Sequence, residues 1–265
     1  MEAHAGETIC RRHDEMGVLE VVDDAITRTL YFGTPAKQSS MLLTNPRALA
    51  LSYTRAMCAC LLFQNAPSRA LLVGLGGGSL ARFLLHHFPD CRIDALEPRS
   101  AVVDIAREYF ALRNESRLTV IDADGVGYLQ HRSRSEPRYD LILVDAFDAH
   151  GLAAGVTSDN FCNGCRAALS DAGVLAVNLW ATDSSDFRQG YRCLRTAFDD
   201  QVLRLPVERR GNVIALALPR PITPAELKAL RGKTDELEQR YGLEFTALLR
   251  GLRRHNTGLV RRVFW

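Results

Sequence analysis

A chain of 265 residues with 47% apolar content can build one large domain with a real core plus a small appendage. Its 33 basic and 31 acidic side chains leave a net charge near +2, too even for a dedicated nucleic-acid binder. No apolar run approaches the roughly 18 residues needed to cross a bilayer, and neither the opening Met1–Glu2–Ala3–His4 nor the odd count of seven cysteines suits secretion, so a cytoplasmic protein without a membrane partner is expected.

Residues 17–23 and 27–32 are short and rich in β-branched side chains. Asp24 and Ala25 between them suit a turn, which predicts a small antiparallel sheet. Asn45–Pro46 then punctuates the chain, and 48–63 is apolar on nearly every side, the pattern of a buried helix. This divides the chain into an N-terminal β-domain with its linking helix, 1–65, and a larger domain, 66–265.

From Arg69 onward the text alternates. Strands are predicted at 70–74, 92–97, 117–121, 139–145 and 173–179, and helices at 79–88, 99–110, 125–131, 158–170 and 184–198. Such alternation specifies an α/β domain, a parallel sheet with helices on both faces. The last pair, 202–205 and 212–217, lies close together around Arg210–Gly211 and reads as a hairpin. Thr223–Pro224 suits the cap and first residue of a C-terminal helix.

The chemistry concentrates at strand ends. The run Leu71–Leu72–Val73 breaks into Gly74-x-Gly76-Gly77-Gly78 before Ser79, where backbone without Cβ atoms lets a nucleoside-containing cofactor approach a helix N-terminus. Glu97 follows 23 residues after Gly74, at the end of the second strand, where a carboxylate can accept from ribose hydroxyls. Asp122–Ala123–Asp124–Gly125 ends the third strand, and its acids can meet an adenine amino group or cap the next helix. Leu141–Ile142–Leu143–Val144 runs into Asp145 and Asp148, two carboxylates able to hold and deprotonate an ammonium group. Tyr53 is either an aromatic wall for that substrate or a core residue.

Together these residues resemble the spermidine synthase (polyamine aminopropyltransferase) family, over roughly residues 17 to 217. That resemblance implies a Rossmann-like, seven-stranded methyltransferase sheet preceded by a small N-terminal β-domain; the closing hairpin suits such folds better than nicotinamide dehydrogenases. It implies transfer of an aminopropyl group from decarboxylated S-adenosylmethionine to an amine such as putrescine, without a metal, and a homodimer is compatible with it. Carried onto this sequence, Glu97 would hold the ribose and Asp124, with Gly125, the adenine end. Gly74, Gly76 and Gly78 would form the cradle and Gln38 would flank the cofactor. Asp145 would be the general base, Asp148 an amine anchor and Tyr53 a pocket aromatic.

The chain also departs from that family. An aspartate usually stands where it has Gly77, a glutamine where it has Thr54, and a tyrosine and a proline grip the acceptor where it has Glu208–Arg209–Arg210–Gly211. Loss of the turn aspartate could admit S-adenosylmethionine itself, its carboxylate met by Arg209 or Arg210. A small-molecule methyltransferase and a catalytically silent adenosyl-binding relative are therefore the alternatives. Other signals read as structural. Cys162 and Cys165 have metal or redox spacing but no second pair, and His86–His87 suits a helix C-terminus by charge–dipole attraction. His150, near the aspartates, could assist proton transfer. Arg250, Arg253, Arg254, Arg261 and Arg262 read as a solvated basic helix face and tail.

Overall fold

The computed structural model describes residues 6–133, 135–149, 151–181, 184–208 and 210–256. Two sheets organise the chain. The first is antiparallel in chain order: β1 (Glu7–Asp14), β2 (Gly17–Asp23), β3 (Thr27–Tyr31) and β4 (Lys37–Leu42). Asp24 shapes the central turn, its carboxylate accepting from the backbone of Ile26 and Thr27.

The sequence reading anticipated only the middle two of these strands. β1 reads ETICRRHD and β4 KQSSML, and neither alternates polar with apolar residues. In β4 Ser39 and Ser40 are buried because their hydroxyls find partners. Thr29 Oγ1 lies 3.0 Å from Ser40 Oγ, and Ser79 Oγ lies 3.3 Å from Ser39 Oγ.

The second sheet has seven strands: β5 (Arg69–Val73), β6 (Arg92–Leu96), β7 (Leu118–Ile121), β8 (Tyr139–Val144), β9 (Leu169–Trp180), β10 (Val202–Pro206) and β11 (Asn212–Ala217). Their spatial order is β10-β11-β9-β8-β5-β6-β7, with β11 alone running against its neighbours. The methyltransferase-like architecture expected from the sequence is therefore present. β9 begins earlier than expected, at Leu169, because Ser170 and Asp140 lock its entry to β8, Ser170 Oγ donating to Asp140 Oδ1 at 2.9 Å.

Period-two alternation sends each strand's residues to opposite faces. Leu72, Ile93, Leu141, Leu143 and Ala176 pack with α1 (Ser52–Met57), α2 (Ser79–His87), α8 (Thr234–Tyr241) and α9 (Phe245–His255). Leu71, Val73, Ile142, Val144 and Val177 pack instead with α4 (Gly125–His131), α5 (Asp159–Ala168) and α6 (Ser184–Ala197). The predicted helix over 48–63 is shorter than expected, α1 tightening into a 3₁₀ turn over Cys58–Leu62, but it is buried in the main core as its composition demands. α7 (Pro224–Ala229) starts where Thr223 and Pro224 place it, the threonine hydroxyl accepting from Glu226 N. Thus α3 (Ser100–Tyr109) completes the set, and its Val102 and Ile105, with Phe110, pack beneath Leu19, Leu30 and Met41 of the small sheet.

Cys162 and Cys165 belong to the core under α5, and burial pushes the Cys162 thiol up to about 12. The dipole account of His87 does not hold. Its ring packs 4.5 Å from Phe83 and 5.2 Å from Tyr241, and burial lowers its pKa to about 4, so it is neutral. Arg250 and Arg254 are exposed on α9, as a solvated basic face requires, whereas Arg261 and Arg262 lie outside the described residues. No helix among the described residues is long and apolar enough to cross a membrane.

Candidate active site

The sheet order reverses between β5 and β8, and ligands of open α/β sheets bind beyond the carboxyl ends of strands at such a reversal. Val73 pairs with Val144 there, and Asp145 N donates to Val73 O at 2.9 Å. The glycine turn and the first aspartate therefore leave the sheet side by side. Gly74 has φ +93°, and a Cβ on it would stand 2.3 Å from the carbonyl oxygen of Asp145. Only glycine permits that contact.

The turn then bends through Gly76 (φ +51°) and Gly78 (φ +72°) into α2. A Cβ at Gly76 would meet only Ser39, at 3.6 Å, so this face of the turn is open to approach. Glu97, 8% exposed, holds the turn from behind by accepting from Leu75 N at 3.2 Å and Arg99 N at 3.1 Å. Burial raises its pKa, and backbone hydrogen bonds, Gly76 N among them, oppose that shift. A carboxylate has about four acceptor sites, so three backbone donors leave roughly one for a ribose hydroxyl. The turn and its acid fit an adenosyl group on these terms.

Gly77 has a steric reason of its own. A Cβ there would lie 2.8 Å from the ring of Phe110 and from Ser39 Oγ, so this chain has filled the place where an aspartate would project. Arg82 supports the same turn from within. It is 7% exposed, donates to the carbonyls of Gly77, Phe110 and Pro46, and burial lowers its pKa to about 10.

On the other side of the reversal, Asp145 is brought together with Tyr53 and Gln38. The Tyr53 hydroxyl donates to Gln38 O at 3.2 Å and also interacts with the Asp145 carboxylate. Burial raises Asp145 to about 6, while hydrogen bonds from Asn178 and Tyr53 hold it from going higher. The same burial, with the charge of Asp145, keeps Tyr53 protonated. Tyr53 thus packs against the main core with its ring and reaches the site with its hydroxyl.

Two buried amides complete this cluster, and sequence reasoning missed both. Asn178 Nδ2 donates to Asp145 Oδ1 at 2.9 Å, and Asn212 Nδ2 donates to Asn178 Oδ1 at 3.0 Å. The signal was a lone amide in Val177–Asn178–Leu179 and another opening the apolar strand from Asn212.

The remaining residues are placed as follows. Asp124 is the N-cap of α4, accepting from Gly127 N at 2.8 Å. A Cβ at Gly125 would stand 2.4 Å from Val73 Cγ1, so this glycine lets α4 approach β5. Asp148 is half-buried in its own loop, its carboxylate accepting from Gly151 N at 3.1 Å. Thr54 turns its hydroxyl onto Leu51 O at 2.8 Å, away from any role as a pocket amide. Arg210 N donates to Val207 O in the β10–β11 loop; Arg209 and His150 lie outside the described residues.

Residues 51–181 match the family model described as the spermine/spermidine synthase domain. A polyamine aminopropyltransferase of Chromobacterium violaceum is 35% identical over 244 residues, covering 92% of each chain. The chain belongs to the spermine/spermidine synthase family. Among solved structures, a spermidine synthase in complex with the transition state analogue AdoDATO is similar over 92% of this chain and 84% of its own, at TM-score 0.72 and 16% identity. Human methyltransferase-like protein 13, solved in complex with SAH, covers 76% of this chain and 93% of its own, at TM-score 0.62 and 25% identity. Both are similar in fold to this chain.

Proposed function

We propose that this protein is a polyamine aminopropyltransferase, moving an aminopropyl group from decarboxylated S-adenosylmethionine to a small amine such as putrescine. The observation that carries this reading is Asp145, a half-buried carboxylate held by Asn178 and Tyr53 at the strand reversal of a chain 35% identical to such an enzyme. In this reading residues 1–65 contribute Gln38 and Tyr53, and residues 66–265 contribute the donor cradle and the base.

The donor lies across Gly74, Gly76 and Gly78, one ribose hydroxyl on Glu97 and its adenine end toward Asp124 and Gly125. Asp148 and Tyr53 hold the acceptor. An aliphatic ammonium, with a pKa near 10.4, is no nucleophile until it loses a proton. Asp145 takes that proton. Its rise from 3.8 to about 6 narrows the gap to the ammonium by about two units. The freed nitrogen attacks the propyl carbon bonded to sulfur. The C–N bond forms as the C–S bond breaks, and sulfur leaves with the electron pair as methylthioadenosine. Alignment of nitrogen, carbon and sulfur supplies most of the acceleration.

One observation favours a second reading, methyl transfer from S-adenosylmethionine: the space beside Gly77 is filled by Phe110 instead of an acid. Product analysis separates the two. Incubation with each donor and putrescine should yield methylthioadenosine and spermidine from the decarboxylated donor. S-adenosylhomocysteine from the carboxylated donor would replace this reading with the second, and donor binding with neither product would make the protein a silent relative.

A further inference from the structure

Asn178 and Asn212 have no part in the chemistry just described, yet both are costly to bury. Asn178 is 1% exposed and Asn212 6%, so neither amide can turn to water when it lacks a partner. Asn178 sits in β9 two residues before Trp180, and Trp180 faces Asn212 across the β9–β11 ladder. The two amides therefore stand one above the other beside the end of β8.

Their order has a direction. Facing Asp145 Oδ1, Asn178 presents its NH₂ group, which leaves its carbonyl oxygen pointing at Asn212. Asn212 meets that oxygen with its own NH₂ group at 3.0 Å. Turning the Asn178 amide over would set oxygen against carboxylate and NH₂ against NH₂, losing both bonds. Asn212 thus locks the orientation in which Asn178 can donate. Asn212 is itself tied to the β10–β11 loop, because its carbonyl accepts from Val207 N at 2.9 Å and the neighbouring Gly211 O accepts from Ala181 N at 2.7 Å.

We propose that Asn178 and Asn212 are positioning residues for Asp145, a two-amide relay that holds Oδ1 in place and couples the carboxylate to the β10–β11 loop. The inference rests on the reading of Asp145 as proton acceptor. Among the described residues Tyr53 from α1 is the titratable group that faces the same carboxylate, and it is unchanged in every variant used to test the relay.

The test compares the full chain with Asn178→Leu, Asn212→Leu and the double variant. Three quantities are read: kcat/KM against pH, KM for the donor, and the ¹³C carboxyl titration of Asp145, assigned by its disappearance in Asp145→Asn. Loss of the Asn178 donor should raise the Asp145 titration and the acid limb of kcat/KM by about one pH unit. It should lower kcat about 10–100-fold through misplacement of the carboxylate, with donor KM unchanged. Asn212→Leu should move both titrations the same way by less, and in the double variant it should add nothing to the effect of Asn178→Leu. Asn178→Val, β-branched as suits a strand and without a donor, gives the same sign where leucine is not tolerated.

A merely structural role would lower the melting temperature and leave both titrations where they were, which overturns the proposal. Additive effects of the two substitutions would overturn the relay as well. The carboxyl titration is read without turnover, so it stands even where Asp145→Asn retains full activity. That last result would remove Asp145 as the base without touching the coupling.

Discussion

The two sides of the strand reversal are built by opposite means. The side proposed to hold the donor is backbone: three glycines at positive φ, one carboxylate largely consumed by N–H groups, and a buried arginine holding carbonyls from behind. The side proposed to hold the acceptor is side chains: a carboxylate raised to about 6, a phenol kept protonated and two stacked amides. A backbone cradle recognises shape and tolerates few substitutions. A side-chain cluster tunes a proton and can change acceptor while the cradle stays the same.

The sharpest way to break this contrast is Asp145→Asn. Loss of the proposed general base should cost about 10²–10⁴-fold in kcat with donor KM unchanged. The same change should stabilise the fold. Because the folded pKa lies above the unfolded one, the native state binds the extra proton between about pH 4 and 6, and wild-type stability falls as pH rises through that window. An asparagine avoids that loss, so above pH 6 the variant should gain up to about 3 kcal/mol, read by denaturant melts. A variant both inactive and less stable would mean the carboxylate is structural.

Gly74→Ala attacks the other side and should act on everything at once. Its Cβ would meet the Asp145 carbonyl at 2.3 Å, backbone that cannot swing aside. The positive φ adds about 1–3 kcal/mol of strain. Thermal melts should show the loss, and turnover should fall with a rise in donor KM, because the clash links the two sides. Unchanged melting and kinetics would show the turn to be more plastic than its packing implies. Tyr53→Phe is milder and confined to the acceptor side. Its hydroxyl helps hold the Asp145 pKa down, so the acid limb of kcat/KM should move to higher pH and kcat should fall about tenfold. An unmoved limb would leave Tyr53 as core packing alone.

This division also explains what could be read from the sequence. Backbone demands leave marks: a glycine run after an apolar strand, an acid at the next strand end and strict strand–helix alternation place the turn, Glu97 and every strand of the main sheet but β9 within a residue or two. Asp145 stood out because it ends an apolar strand. Asn178 and Asn212 left no such mark, since the partners that satisfy them lie 33 and 34 residues away in the chain. β4 was illegible for the same reason, its buried serines depending on Thr29 and Ser79. Gly77 is an intermediate case, its absence of side chain visible at once but the reason, Phe110, fixed only by the fold.

The smallest expected effect tests whether the donor side depends on the small sheet. Arg99 N donates to Glu97, while its guanidinium, 5% exposed, grips Asp14 of β1 at 2.9 and 2.7 Å and lies over the Phe32 ring. Arg99→Met keeps the stem and removes the charge. Asp14 is held below its ordinary pKa chiefly by the Arg99 hydrogen bond, so the pair stabilises the protein above the unfolded carboxylate range and that contribution fades as pH falls through the depressed value. The variant should therefore be less stable than wild type by about 1–3 kcal/mol at pH 7, with the gap closing below about pH 4. Donor KM should rise a few-fold, because Glu97 loses the anchor of its neighbour, while the acid limb set by Asp145 stays fixed. A shift of that limb would mean the two sides are not independent, and the contrast between them would have to be given up.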